Sequence, residues 1–130
     1  MKFLPDRSEG VNTITRHDPM SIWVGQAGFG HSLLVPWQGE VRRWAPQRID
    51  QLQAAHFEQA LALEPELVIF GSGQRHRFIP AGLVRCLIER GIGVEMMDTA
   101  AACRTYNVLA SEGRAVIAAL LFEPAEATPA

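Results

Sequence analysis

Two short polar stretches each follow an apolar run, at positions where ligands commonly bind in α/β proteins. Gly71-Ser72-Gly73 comes directly after Leu67–Phe70, and Asp98-Thr99 comes directly after the next apolar run along the chain. Hydroxyl and carboxylate groups at neighbouring strand ends can position a small molecule by hydrogen bonds. Arg75 or Arg104 would then bind an anionic group on that molecule. The sequence therefore predicts a cleft at these strand ends as one hypothesis for function.

Known catalytic and phosphate-binding motifs do not fit the glycine turn. A dinucleotide-binding turn needs its third glycine where this chain has His76, and no Gly-Lys-Ser/Thr follows for a phosphate-binding loop. A nucleophile elbow needs glycines where the chain has Phe70 and Gln74. A hydrolase triad of Ser72, His76 and Asp98 stays open only if the fold brings the three together. We therefore assign no catalytic residue, no metal ligand and no cofactor, and favour a protein that is not an enzyme.

A second polar set lies on the helix predicted after Asp98, which is a suitable N-cap residue. Ala102, Tyr106 and Leu109 recur at helical spacing and predict a buried stripe. Cys103 lies beside this stripe and is expected to be a buried, inert thiol rather than a reactive one. Polar residues on this helix lie outside the buried stripe. Each of them either forms internal hydrogen bonds or belongs to a surface that faces a partner. The candidate ligand- or partner-binding residues are Gly71, Ser72, Gly73, Arg75, Asp98, Thr99, Arg104, Thr105, Tyr106 and Asn107.

Glu95 is a carboxylate within the apolar run that precedes Asp98. An unpaired carboxylate in a buried strand is costly, and Arg104 is a candidate partner across the strand-to-helix turn. An internal Glu95–Arg104 ion pair is therefore one hypothesis for these two residues, and a partner-facing Arg104 is the other.

Composition indicates an ordinary soluble globular protein. The chain has 130 residues, 48% hydrophobic and 20% charged, with a formal net charge of -2, so nucleic acid is not expected as a partner. The two cysteines form no close pair and no ligand cluster, which favours a reduced, cytoplasmic protein. Met1–Gly10 lacks the features of a signal peptide, and no apolar run is long enough to span a membrane. We expect one domain over residues 1–122, with a loose leader at 1–10 and a disordered tail at 123–130.

The elements after Pro46 alternate between helices and strands. A helix is predicted over Leu52–Leu63, ending before Pro65, and a second is predicted to begin at Pro80 and bury Leu83, Val84, Leu87 and Ile88. Strands are predicted at Leu67–Phe70, Ile92–Met97 and Ala115–Phe122. Such alternation predicts an α/β domain whose helices pack on a sheet.

The residues before Pro46 predict an antiparallel meander. An edge strand is expected at Val11–Thr15, and a tight hairpin is expected around Gln38-Gly39, between Leu33–Trp37 and Glu40–Trp44. The tryptophans at positions 23, 37 and 44 are expected to cover the packed face, with an aromatic groove as the alternative.

These segments together resemble a known family. Pro65–Gly73, Glu95–Thr99, Ala101–Leu109 and Glu112–Arg114 are similar to the small α/β domain family that includes the mitochondrial respiratory complex I assembly factor 3 and many uncharacterised bacterial and archaeal proteins. The resemblance implies a three-layer domain with a central mixed β-sheet, in which the last strand runs antiparallel to the others. For the mitochondrial members it implies a non-catalytic role in assembling the membrane respiratory enzyme, in company with other assembly proteins. Without a mitochondrial leader, this Arg-rich chain resembles the bacterial members.

Two functions follow as hypotheses. The first is an interaction or assembly protein that presents the Arg104/Thr105/Asn107 helix face and adjoining turns to a protein partner, such as respiratory complex subunits or other assembly factors. The second is a small-molecule binder or enzyme in which Ser72, Thr99, Arg104 and Tyr106 converge on the cleft. Neither fixes the oligomeric state.

Overall fold

The computed structural model describes residues 10–123 of the chain. The expected leader at 1–10 and tail at 123–130 lie outside the described residues, apart from Gly10 and Glu123. Glu123 does not belong to a disordered tail, because its carboxylate accepts a 2.7 Å hydrogen bond from the Arg77 guanidinium.

Three short strands form a separate antiparallel sheet. They are β1 (Ile14–Asp18), β2 (Ser21–Val24) and β3 (Ala27–Phe29), in the order β1-β2-β3. Ile22 and Val24 are buried, and Trp23 between them points to the opposite face, as side-chain alternation in a strand requires. Trp23 lies 6.0 Å from the Arg16 guanidinium there, so the prediction that it covers the packed face is wrong. The first strand also lies further along the chain than the predicted Val11–Thr15.

Five further strands form the central sheet, in the order β5-β4-β8-β6-β7. They are β4 (Leu33–Pro36), β5 (Arg42–Arg43), β6 (Leu67–Gly71), β7 (Gly93–Met97) and β8 (Val116–Leu120). β8 runs parallel to β6 and antiparallel to β4. The sheet is mixed as expected, but the expectation that the last strand opposes the others is wrong. Helix-containing crossovers lead from β6 to β7 and from β7 to β8, and such connections join parallel strands.

The predicted tight hairpin is also wrong. Leu34 pairs with Arg42, and β4 continues to Pro36, which leaves residues 37–41 as the connection instead of a two-residue turn. Trp37 at its start is half-buried against the core. Trp44 beyond it is buried and donates its indole N–H to the His56 carbonyl at 3.1 Å.

Three α-helices cover the central sheet. They are α1 (Ala54–Leu61), α2 (Arg85–Glu89) and α3 (Thr99–Ser111), and single 3₁₀ turns lie at Ile49–Gln51 and Ala81–Val84. α2 begins later than predicted, because the segment after Pro80 first forms the 3₁₀ turn. Ile88, expected to be buried, is 58% exposed.

Successive side chains of the central strands point to opposite faces of the sheet, and this divides the core into two clusters. Ile69 faces a cluster built from α3 and the three-stranded sheet, whereas Val68 and Phe70 face a cluster built from α1 and α2. The fold is therefore the predicted α/β domain of three layers, with the antiparallel N-terminal sheet sharing a layer with α3.

Candidate functional site

A cavity of about 490 Å³ lies at the carboxyl ends of β6, β7 and β8. Because these strands are parallel, the segments that follow them emerge at one edge of the sheet, where ligands bind in open α/β sheets. The turn between β1 and β2 reaches the same edge. We call this feature the sheet-end cavity; its lining residues are His17, Asp18, Pro19, Gly73, Gln74, Asp98, Thr99, Ala100, Leu121, Phe122 and Glu123.

The two glycines of the turn after β6 are required by close packing. A Cβ atom at Gly71 would lie 2.9 Å from the Thr99 Cα, so only glycine allows the start of α3 to pack this closely. Gly73 has φ +100°, and a Cβ there would lie 2.5 Å from the Glu123 carboxylate. Gly71, the last residue of β6, thus allows α3 to pack closely on the sheet, and Gly73 lines the cavity.

Ser72 is fully buried and its hydroxyl is used within the turn. The Oγ donates to the Arg75 carbonyl at 2.8 Å and accepts from the Arg77 N–H at 3.0 Å. Ser72 does not line the sheet-end cavity, and His76, the second member of the hypothetical triad, is exposed. The structure therefore does not assemble this triad.

Thr99 ties three segments together at the edge of the sheet. Its Oγ1 donates to the Leu121 carbonyl at 2.7 Å and accepts from the Gly73 N–H at 2.9 Å. Asp98 beside it is the predicted N-cap of α3, with its carboxylate accepting from the Ala101 N–H at 2.8 Å. Both residues line the cavity while their polar groups stabilise the fold.

The polar side chains further along α3 point away from the cavity. Tyr106 is buried, and its hydroxyl donates to the Asn12 carbonyl at 2.7 Å. The Asn107 side chain accepts a hydrogen bond from the Ile14 N–H and donates one to the Ile14 carbonyl, at 2.8 Å each. These are the two bonds that a neighbouring strand would make with β1. Asn107 is therefore an internal contact, which corrects the prediction that it faces a partner. Burial raises the pKa of the Cys103 thiol to about 12, so this cysteine is the inert thiol that the sequence suggested.

The arginine candidates lie outside the cavity. Arg75 and Arg104 are exposed, and Thr105 is half-buried on α3. Glu95 is exposed as well, because β7 is an edge strand of the central sheet. No Glu95–Arg104 ion pair is among the salt bridges of residues 10–123, so that hypothesis is wrong: the carboxylate has water and needs no partner. Ser72, Thr99, Arg104 and Tyr106 do not converge.

Carboxylates set the charge of the sheet-end cavity. Glu123 pairs with Arg77, and the Asp18 carboxylate lies 3.4 Å from the Arg16 Nε. Hydrogen bonds from the backbone N–H groups of Met20 and Ser21 lower the pKa of Asp18. Of the described residues, three that line the cavity are acidic and none is an arginine, which disfavours the anionic ligand that the sequence suggested.

Of the eleven lining residues among those the structure describes, only Gly73, Asp98 and Thr99 were candidates from the sequence. His17, Asp18 and Pro19 were assigned to no site, and Leu121 and Phe122 were assigned only to a last strand. The positions of these residues in the sequence do not indicate that they meet. His17, Asp18 and Pro19 reach the end of β8 only because the separate N-terminal sheet carries their turn there.

The described residues show neither a metal-binding cluster nor a membrane-spanning helix. No group of three or more possible metal ligands occurs within residues 10–123. The longest helix in this range, α3, has 13 residues, and none has the length and apolarity required to cross a membrane.

Comparison with known proteins identifies relatives over most of the chain. Residues 14–121 match the family described as a protein of unknown function (DUF498/DUF598). A Bos taurus protein named NADH dehydrogenase [ubiquinone] 1 alpha subcomplex assembly factor 3 is 30% identical over 127 residues, which cover 88% of this chain and 68% of that protein. A Francisella tularensis protein named 13 kDa major membrane protein is 32% identical over 72 residues, covering 53% of this chain and 58% of that one.

The fold recurs in solved structures. A crystal structure of a Bordetella parapertussis protein matches with a TM-score of 0.84 and 39% identity, covering 89% of this chain and 99% of the other. The chain spans roughly half to two thirds of the length of the curated relatives that it matches over most of its own length. The family match and the shared fold both cover most of the chain, and the chain therefore belongs to the DUF498/DUF598 family of α/β domains.

Proposed function

We propose that this chain is a non-catalytic protein-interaction domain that assists the assembly of a respiratory membrane enzyme, in company with other assembly proteins. Its partner docks over the sheet-end cavity. The proposal places the chain in the cytoplasm, where the exposed side of such an enzyme is accessible. Gly73, Asp98 and Thr99 belong to the docking site, whereas the exposed Arg75 and Arg104 lie outside it.

The observation that carries this proposal is the position of the two most exposed large apolar side chains among residues 10–123. Phe78 is 81% exposed and Met20 is 73% exposed. Met20 directly follows Pro19, which lines the cavity, and Phe78 directly follows Arg77, whose guanidinium bonds to the lining residue Glu123. Exposed apolar groups beside a concave surface are typical of protein-binding sites. The relatives named as assembly factors support the choice of partner.

A second candidate function is small-molecule binding in the same cavity. Its volume of about 490 Å³ lies within the range of roughly 300 to 1,000 Å³ that is common for ligand pockets. The apolar lining residues Pro19, Ala100 and Phe122 favour an apolar molecule. Native mass spectrometry of the chain purified from its host would detect such a molecule as a retained mass.

Affinity purification from gently solubilised host membranes tests the leading proposal. Phe78→Ser should lose the respiratory enzyme subunits that co-purify with the wild type. Ile88→Ser, on the other side of the central sheet and 58% exposed, should retain them. Both substitutions affect exposed side chains, so we expect stability within about 0.5 kcal/mol of the wild type. Equal enrichment of those subunits by all three proteins would reject docking at the cavity.

A further inference from the structure

The floor and the charge of the sheet-end cavity together restrict the segment that it accepts. The apolar residues of the lining whose side chains are not fully buried are Pro19, Ala100 and Phe122, whereas the Leu121 side chain is buried in the core against α1 and α2. A volume of about 490 Å³ leaves room for side chains of a partner, because it lies within the range of roughly 300 to 1,000 Å³ that is common for binding pockets. The floor therefore suits apolar anchor residues.

The carboxylates restrict the charge of that segment. Glu123 has Arg77 as its cation and Asp18 has Arg16, whereas Asp98 has no cationic partner among the described residues. Its carboxylate does accept the Ala101 N–H, which leaves a second oxygen for another donor. Among residues 10–123 the carboxylates of the cavity therefore exceed their nearest arginines by one, and the positive end of α3, which Asp98 caps, offsets part of that charge. An acidic segment is repelled, and a Lys or Arg side chain is attracted to Asp98.

We infer that the sheet-end cavity binds a segment of the protein partner that carries apolar anchor residues next to a Lys or Arg, with the apolar side chains against Pro19, Ala100 and the edge of Phe122 and the cationic group at Asp98. This inference rests on the proposed function, since it specifies the partner at the same site. The exposed Phe78 and Met20 extend the apolar contact beyond the cavity.

Site-specific photo-crosslinking identifies the segment directly. The photoreactive residue p-benzoylphenylalanine replaces Gln74, which is exposed and lines the cavity, and in a control protein it replaces Gln59, which is exposed on α1. Both proteins are irradiated in the host cells, and the crosslinked peptides are sequenced by mass spectrometry. We expect position 74 to capture a segment with apolar residues and an adjacent Lys or Arg, and position 59 not to capture it.

A charge variant tests the role of Asp98. Asp98→Asn keeps an oxygen for the Ala101 N–H but removes the charge, and Asp50→Asn removes an exposed carboxylate elsewhere. The yield of the position-74 crosslink should fall about two- to fivefold in the first variant, as for an exposed ion pair, and stay unchanged in the second. An unchanged yield with Asp98→Asn overturns the charge assignment.

The outcomes separate this inference from the proposed function. If position 74 captures an acidic or wholly polar segment of a respiratory enzyme subunit, the inference fails and the assembly role stands. If it captures a basic, apolar segment of an unrelated protein, the inference stands and the assembly role fails. If position 74 captures nothing, both are rejected.

Discussion

Replacing Thr99 by valine tests whether the cavity edge is held by the hydroxyl of this residue. Valine has nearly the same shape but loses the hydrogen bonds to the Gly73 N–H and the Leu121 carbonyl, at 2.9 and 2.7 Å. Each bond contributes about 0.5 to 1.5 kcal/mol net, and an unpaired buried partner costs about 1 to 3 kcal/mol. Both partners border the cavity, which water can enter, so we expect the free energy of unfolding to fall by about 2 to 3 kcal/mol in total.

Urea unfolding followed by circular dichroism measures this loss. Thr99→Ser restores the hydroxyl and should recover most of the lost stability. Thr105→Val is the matched control on the same helix, because the half-buried Thr105 hydroxyl has no hydrogen bond to another described residue outside the helix, and it should change stability by less than about 0.5 kcal/mol. A loss below that level for Thr99→Val, or an equal loss for Thr99→Ser, would refute the structural role of the hydroxyl.

Three further predictions follow from buried or constrained groups. Tyr106 is the single tyrosine, and burial raises its pKa above the ordinary value of 10.0, so absorbance at 295 nm should show no phenolate until the pH rises well beyond 10. Because the folded state keeps this phenol protonated, its contribution to stability is present below pH 10 and is lost above it, and a pH-independent melting temperature from pH 9 to 11 would contradict this assignment. Cys103 should react with Ellman's reagent at pH 8 only on the timescale of unfolding, and fast modification of both thiols in the native protein would show that it is accessible. Gly73→Ala should lower the free energy of unfolding by about 2 kcal/mol because of its positive φ, whereas Gly82→Ala, which meets no neighbouring atom, should be neutral or slightly stabilising; equal effects in urea unfolding would contradict the argument.

Local signals in the sequence predicted the elements that form the cavity edge. The N-cap at Asp98, the buried stripe of α3 and the buried strand before Gly71 all depend on residues close together in the chain, and each is found in the structure. Their physical basis is the hydrogen bonding and amphipathicity of a single element.

Contacts between distant segments were not predictable in the same way. The direction of β8 depends on which strands its crossover joins, and the exposure of Glu95 depends on β7 being an edge strand. Asn107 was assigned to the surface because its partner, Ile14, is far away in the chain. The part of the cavity lining that comes from the β1–β2 turn was not predictable for the same reason: it depends on a contact between distant segments, the N-terminal sheet and the end of β8.

The assembly of the respiratory membrane enzyme in cells that lack this chain tests the central claim most directly. Membranes from such cells are separated by native electrophoresis, and the amount of fully assembled enzyme is measured after complementation with the wild type, Phe78→Ser or Ile88→Ser. We predict that assembled enzyme is depleted without the chain, is restored by the wild type and Ile88→Ser, and is not restored by Phe78→Ser. Normal assembly in the cells that lack the chain would contradict the proposed function.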